Sequence, residues 1–406
     1  MLPDFRSRAV LLQHIRHTRS FYDPRCLDAS GGFYHFYKDD GSVYDARTRH
    51  LVSSTRFVFN FAMAWRQFGE APDRERVLHG LRFLREAHRN PDTGGYAWTL
   101  DWHHGEKTVL DDTNHCYGLA FVLLAYAHGL MAGVAEAREW LIETFELMEQ
   151  RFWEPQHGLY ADEASGDWSR LDPYRGQNAN MHACEAMLAA FEASGDVRYL
   201  HRAETLARNI TVRQAGLYGK LVWEHYRADW SVDPDYNRQD SSNIFRPWGY
   251  QPGHLTEWAK LLLILERHSA HMSGPSDWLL PRARALFDAA LSRAWDGEHG
   301  GIHYGFAPDG SICDPHKYFW VQAESLAAAA LLGARTEDAR LSAVYWDWYD
   351  RIWAYSWEHF VDHEHGAWYR ILGPANEKLT DEKSPAGKVD YHTMGACYEV
   401  LNVLAR

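Results

Sequence analysis

Six short glycine–aromatic stretches recur along the 406-residue chain at long, nearly regular intervals, and this recurrence limits its architecture more than any other feature. They are Gly31-Gly32-Phe33-Tyr34-His35-Phe36, Gly94-Gly95-Tyr96-Ala97-Trp98, His157-Gly158-Leu159-Tyr160, Gly216-Leu217-Tyr218-Gly219, Gly300-Gly301-Ile302-His303-Tyr304 and His365-Gly366-Ala367-Trp368-Tyr369. Anchored on Gly32, Gly95, Gly158, Gly216, Gly301 and Gly366, they are separated by 63, 63, 58, 85 and 65 residues. Second turns at Asp39-Asp40-Gly41, Ser165-Gly166-Asp167 and Pro308-Asp309-Gly310 follow several of them, as in a short hairpin. A long, roughly fixed period marks one repeated supersecondary unit.

Between the anchors the apolar spacing predicts helices near 6–20, 53–69, 73–90, 112–131, 134–152, 178–195, 197–212, 253–272, 276–294, 318–333, 337–358 and 389–405. Twelve helices in six pairs, each pair closed by the same element, predict an all-α (α/α)6 toroid with short β-hairpins at one mouth. The even-numbered helices would form the inner wall, and the apolar runs Cys116 to Ala127 and Ser325 to Leu332 fit that role. No linker rich in Ser, Pro or Gly divides the chain, so residues 1–406 read as a single domain.

A net charge of −13 with acids spread along the chain argues against nucleic acid and anionic membranes as partners. No apolar run reaches the roughly 18 residues of a spanning helix. Met1 to Arg16 lacks a signal-peptide core, and the five cysteines (Cys26, Cys116, Cys184, Cys313, Cys397) form no CxxC pair, so a reduced cytoplasmic protein is expected. The 18 Trp and 22 Tyr suit either a large helical core or a sugar-binding cleft, where rings stack on CH faces.

The polar residues that stand out cluster where inner helices begin. Pro252 and Gly253 break the chain, and His254 and Glu257 then share a face in the first turn of a helix whose stripe is Leu255, Trp258, Leu262 and Leu265. Trp248, Tyr250 and Trp258 are expected to fence that pair. The other starts carry Ser53-Ser54-Thr55-Arg56, Asp111 to Tyr117, Asn178 to Glu185, Lys317 with Trp320 and Glu324, and Asp390-Tyr391-His392. If all six starts open at one mouth, these side chains converge. Asp111, Asn178, Asp390 and the serines also suit N-capping. Capping does not account for histidines in the first two turns of three separate helices. Zinc would accept three histidines, but no HExxH pair occurs, and GxSxG elbows and phosphate-binding glycine loops are absent too. A glycoside hydrolase would need two opposed carboxylates, for which Glu185, Glu257 and Glu324 are available. A histidine-led site suits proton transfer at a carbon beside a carbonyl.

The stretches Leu51 to Phe57, Tyr174-Arg175-Gly176-Gln177-Asn178-Ala179-Asn180-Met181-His182-Ala183, Pro252-Gly253-His254-Leu255-Thr256-Glu257-Trp258 and Asp390-Tyr391-His392 resemble the N-acylglucosamine 2-epimerase superfamily, in its mannose isomerase or aldose–ketose isomerase branch. The resemblance covers essentially the whole chain. It implies a metal-free (α/α)6 barrel, without a cofactor, that moves a proton between C2 and C1 of a free aldose such as D-mannose or D-lyxose through an enediolate. By position it implies that Arg56, His182, His254 and His392 are the essential arginine and histidines, and that Asn178, Glu257, Trp320, Glu324 and Tyr117 contact the sugar. On that basis His254 is expected to open the ring, oriented by Glu257, and His392 to shuttle the proton. Arg56, with His182, is expected to hold O1 and O2; the alternative for Arg56 is an ion pair with Glu257 or Glu324. The sulfoquinovose isomerases and 2-epimerases share these motifs, and no basic residue stands out as free to hold a sulfonate. A glycoside hydrolase and a non-catalytic sugar-binding toroid remain as other readings.

Overall fold

The computed structural model describes residues 2–243 and 245–405. Helices that are apolar nearly all round alternate with helices apolar on one stripe, and this alternation builds two concentric rings. The inner ring comprises α2 (Leu51–Phe68), α4 (Cys116–Met131), α6 (Gln177–Ser194), α8 (Pro252–Arg267), α10 (Phe319–Arg335) and α12 (Tyr391–Leu404). The outer ring comprises α1 (Arg8–Tyr22), α3 (Ala71–Phe83), α5 (Ala137–Arg151), α7 (Val197–Arg208), α9 (Leu279–Ala294) and α11 (Ala339–His359). In α4, 13 of 16 residues are buried, so it must lie between neighbours on every side. In α5 only Ala137, Leu141, Thr144, Phe145 and Met148 are buried, and their spacing of three and four gives one inward stripe. Adjacent inner helices pack in succession and α12 meets α2, which closes the expected (α/α)6 toroid.

Four inner helices are entered directly from short strands: Thr48–His50, Asn114–His115, Arg175–Gly176 and Lys317–Tyr318. Each pairs antiparallel with a strand of the following repeat, at Thr99–His103, Glu163–Ala164, His225–Tyr226 and Ile371–Leu372 respectively. Several residues read as caps therefore do other work. His50, not a serine, caps α2, and Ser53, Ser54 and Thr55 lie inside the helix. Asp111 ends a strand, Asn178 follows the Gly176 cap of α6, and Asp390 precedes α12 without its side chain capping it.

The glycine–aromatic stretches form the tight turns that follow outer helices, with Asp28, Asn90, Asp296 and Asp362 at their starts. Four repeats fasten this turn to the approach of the next inner helix by an ion pair between residues 21 apart. These are Arg49–Asp28 (2.6 Å), Arg175–Glu154 (2.8 Å), Lys317–Asp296 (2.8 Å) and Lys383–Asp362 (2.5 Å). All four bases are buried. The fourth repeat departs from the pattern. Gly216 sits in a helical turn, Ala215–Leu217, that prolongs α7, and the left-handed turn of this repeat comes later, at Gly219 and Lys220 (φ 58° at both). Moving the anchor to Gly219 turns the spacing of 58 into 61, whereas the long interval to Gly301 reflects the extended irregular stretch that precedes α8.

Candidate active site

The first turns of the inner helices surround a single cavity of about 800 Å³, its open mouth included. Arg56, Tyr117, Asn178, His182, His254, Glu257, Trp320 and His392 all line it. Glu324 stands behind His392 and faces a second cavity on the other side of the ring. Trp248, Tyr250 and Trp258 do not fence the cavity. Trp258 is fully buried and donates to Gln177 Oε1 at 2.7 Å, and the aromatic lining is Trp320, Tyr304, Tyr318, Phe319 and Phe245. Gly253 lets Trp320 approach, since a Cβ there would lie 2.4 Å from the indole. The indole in turn packs against both His254 (5.1 Å) and His392 (5.7 Å).

Each of the three imidazoles rests its Nδ1 on a carboxylate. His254 meets both oxygens of Glu224 at 3.0 Å, His182 meets Glu185 at 3.0 Å and His392 meets Glu324 at 2.6 Å. With Nδ1–H donating rearward, Nε2 is left as the free nitrogen of residues that face the cavity. Gln177 supports the first pair. The Trp258 N–H fixes its amide oxygen, so its Nε2 donates to Glu224 at 3.0 Å. Glu257 does not orient His254, contrary to expectation from their spacing; both its oxygens are buried without a hydrogen-bond partner. Burial and the neighbouring Glu324 raise Glu257 well above the usual carboxylate range, which favours its neutral form. Burial, with Arg56 and His182 nearby, pushes His392 well below the ordinary imidazole range, and burial lowers His182 against the opposing pull of Glu185. Both are therefore unprotonated bases at neutral pH.

Arg56 has no carboxylate in ion-pair range among the described residues. Glu324 instead meets Lys260 and His392. The guanidinium lies between the rings of Phe121 (4.4 Å) and Tyr391 (4.6 Å), donating to the Gly387 carbonyl and, at 3.3 Å, to the Tyr117 hydroxyl. Its charge is open to an anion arriving in the cavity. His392 follows two non-glycine residues of positive φ, Val389 (33°) and Asp390 (49°). Asn60 holds the Val389 carbonyl at 2.7 Å, and Asp390 accepts from Tyr22 (2.6 Å), Thr393 (2.9 Å) and Lys388. Backbone strain so over-determined is characteristic of functional sites.

Two basic side chains that the sequence did not single out also line the cavity, Arg370 and Lys388. Neither is free: Arg370 meets Glu382 at 3.4 Å and Lys388 meets Asp390. Burial draws Lys388 down to about 8 against the pull of Asp390.

The N-acylglucosamine 2-epimerase (GlcNAc 2-epimerase) family model matches residues 31–396. The chain belongs to that family. Within the N-acylglucosamine 2-epimerase family it is similar to the D-mannose isomerase of Marinomonas mediterranea, at 55% identity over 99% of both chains. A solved D-mannose isomerase superposes with a TM-score of 0.94 at 55% identity, covering 99% of this chain and 100% of that one. The cellobiose 2-epimerase of Spirochaeta thermophila superposes at 0.84 with 25% identity, covering 98% and 96%.

Proposed function

We propose that this chain interconverts D-mannose and D-fructose by proton transfer between C2 and C1 through an enediolate. Its likeness to D-mannose isomerases along the full chain supports that substrate. The observation that best supports the chemistry is the cavity itself: three imidazoles, each held at Nδ1 by a carboxylate, face one space with an arginine that has no carboxylate partner among the described residues.

The C2 proton is acidic only beside a free carbonyl, so the ring opens first. His254, backed by Glu224, would take the O1 hydroxyl proton on its free Nε2 and hand it to the ring oxygen as the bond from C1 to that oxygen breaks. His392, neutral and held by Glu324, would take the C2 proton on Nε2 and return it to C1. Negative charge then develops across O1 and O2, where Arg56 would meet it, while the bare Nε2 of His182 would take the O2 hydroxyl proton and return it at O1. Glu257, as a neutral acid, would donate to a sugar hydroxyl, and Asn178, whose buried Oδ1 has no partner, would accept from another. Trp320 offers the stacking face, and Tyr117, bound to Arg56, a further hydroxyl. No metal enters this scheme, because Lys260 supplies the positive charge among the buried carboxylates. The substrate is then a free monosaccharide, and a cytoplasmic location fits five free cysteines.

Incubation with free aldoses followed by product identification tests the proposal. Fructose from mannose is the expected product, with part of any solvent deuterium at C1. Glucose labelled at C2 as sole product would make the enzyme a 2-epimerase, and release of reducing sugar from an oligosaccharide would make it a hydrolase. Dialysis against EDTA should leave turnover intact; loss restored by zinc or manganese would overturn the metal-free scheme.

A further inference from the structure

Lys260 lies one helical turn after Glu257 on α8, beneath the floor of the cavity, with its side chain 8% exposed. Three carboxylates converge on its ammonium: Glu324 at 2.5 Å, Glu257 at 3.8 Å and Glu185 at 4.0 Å. Two of them have a second task, since Glu324 and Glu185 accept from the Nδ1 of His392 and His182. One cation is thus linked, through one carboxylate each, to two of the three imidazoles that face the cavity. The third, His254, is held by Glu224 and Gln177 instead.

We propose that Lys260 is a positioning residue for the isomerase chemistry set out above, on which this inference rests. Its ammonium holds Glu324 and Glu185 as carboxylates, and these fix His392 and His182 in the tautomer that presents a bare Nε2 to the sugar. Three desolvated carboxylates this close cannot all stay ionised without a cation among them. Glu257, whose oxygens lack partners, takes the proton. Were Glu324 protonated as well, its O–H would donate to His392 Nδ1, the ring hydrogen would move to Nε2, and the base would be lost. Burial raises Glu324 and Lys260 opposes that rise, so removal of the ammonium drives it toward the acid form. Lys260 itself stays charged, because Glu324, Glu257 and Glu185 outweigh its burial. The remaining groups that face this centre are His182 from α6, Arg56 from α2, Tyr117 and His128 from α4, and Tyr391 and His392 from α12. The same carboxylates and histidines stand close enough together to hold a metal ion, and the Lys260 ammonium lies within 4.0 Å of all three carboxylates.

Access from the far side makes this testable. Lys260, Glu185 and Glu324 form the inner end of the second cavity, whose rim carries the exposed Arg66 and Asn402. Lys260→Met keeps bulk without charge, and its kcat should fall about 100-fold with KM little changed, the loss expected when a general base is disabled. The acid limb of its kcat profile should move to higher pH, since Glu324 would then have to ionise unaided. Lys260→Arg should keep kcat within about tenfold. Lys260→Ala opens a hole toward the far cavity, and ethylammonium should restore part of its turnover while neutral 1-propanol does not. Near-normal kcat in Lys260→Met would overturn the proposal, as would a loss of kcat with an unmoved pH profile and no response to ethylammonium. If Lys260→Met does not fold, Lys260→Arg decides: folded and active supports the role, folded and inert refutes it. A wild-type enzyme that turns over no aldose is a different result, and would refute the isomerase reading itself.

Discussion

Glu224 holds the rear nitrogen of His254 at 3.0 Å from a position thirty residues earlier in the chain, outside any helix. Replacing it by Gln keeps size and removes the charge that favours a rearward Nδ1–H. Glu224→Gln should cost at least about 100-fold in kcat with little change in KM, as when a triad histidine loses its orienting acid. Unchanged kcat would show that Gln177 and Trp320 alone set the ring.

His254→Ala and His392→Ala should each lose at least about two orders of magnitude in kcat, the contribution typical of a positioned acid or base. Circular dichroism should show the native helical content in both. A variant that retained turnover would remove its histidine from the proposed chemistry.

Arg56→Lys keeps the positive charge and loses the planar fork between Phe121 and Tyr391. We expect kcat to drop roughly 100-fold or more, in line with loss of a transition-state donor. Unfolding free energy should change by no more than about 1 kcal/mol. Large destabilisation with near-normal turnover would show the arginine to be structural.

Stability should fall on mild acidification, before most carboxylates titrate. Burial depresses His14, His50 and His128 from 6.5 to about 3, and His88 to about 4. Below 6.5 the unfolded chain binds protons that the folded chain refuses, so each of these groups removes up to about 1.4 kcal/mol per pH unit as pH drops toward its folded value. Thermal melts from pH 7.5 to 4.5 should show the melting temperature declining steadily below 6.5. A flat profile over that range would mean that these histidines are hydrated.

The site was legible in sequence to the extent that it sits on helix starts. Arg56, His182, His254 and His392 each occupy the first two turns of an inner helix, where period and position together mark them. Glu224 gave no such signal: it lies in the irregular stretch between α7 and α8, where no periodicity assigns a face. Lys260 sits among Leu261, Leu262 and Leu263, and a lone lysine in such a run reads as one that reaches for solvent. Only the packing of α6 and α10 against α8 shows that three acids meet it. The sequence spacing of His254 and Glu257 was real but misleading, since a shared helix face does not make a hydrogen bond. The Gly216 anchor failed for a related reason. A glycine and a tyrosine recur there, but the chain stays helical and turns later.

The buried ion pairs between residues 21 apart have a consequence for how damage spreads through the ring. Each ties one inner helix to the turn just before it, so the aim of that helix depends on its own repeat and on the strand it shares with the next, not on closure of the whole circle. The mouth then behaves like a lens mount with separately adjusted screws. Loosening Lys317–Asp296 should displace Trp320 and leave Arg56 where it was, so that lesions in different repeats yield enzymes with distinct, local faults.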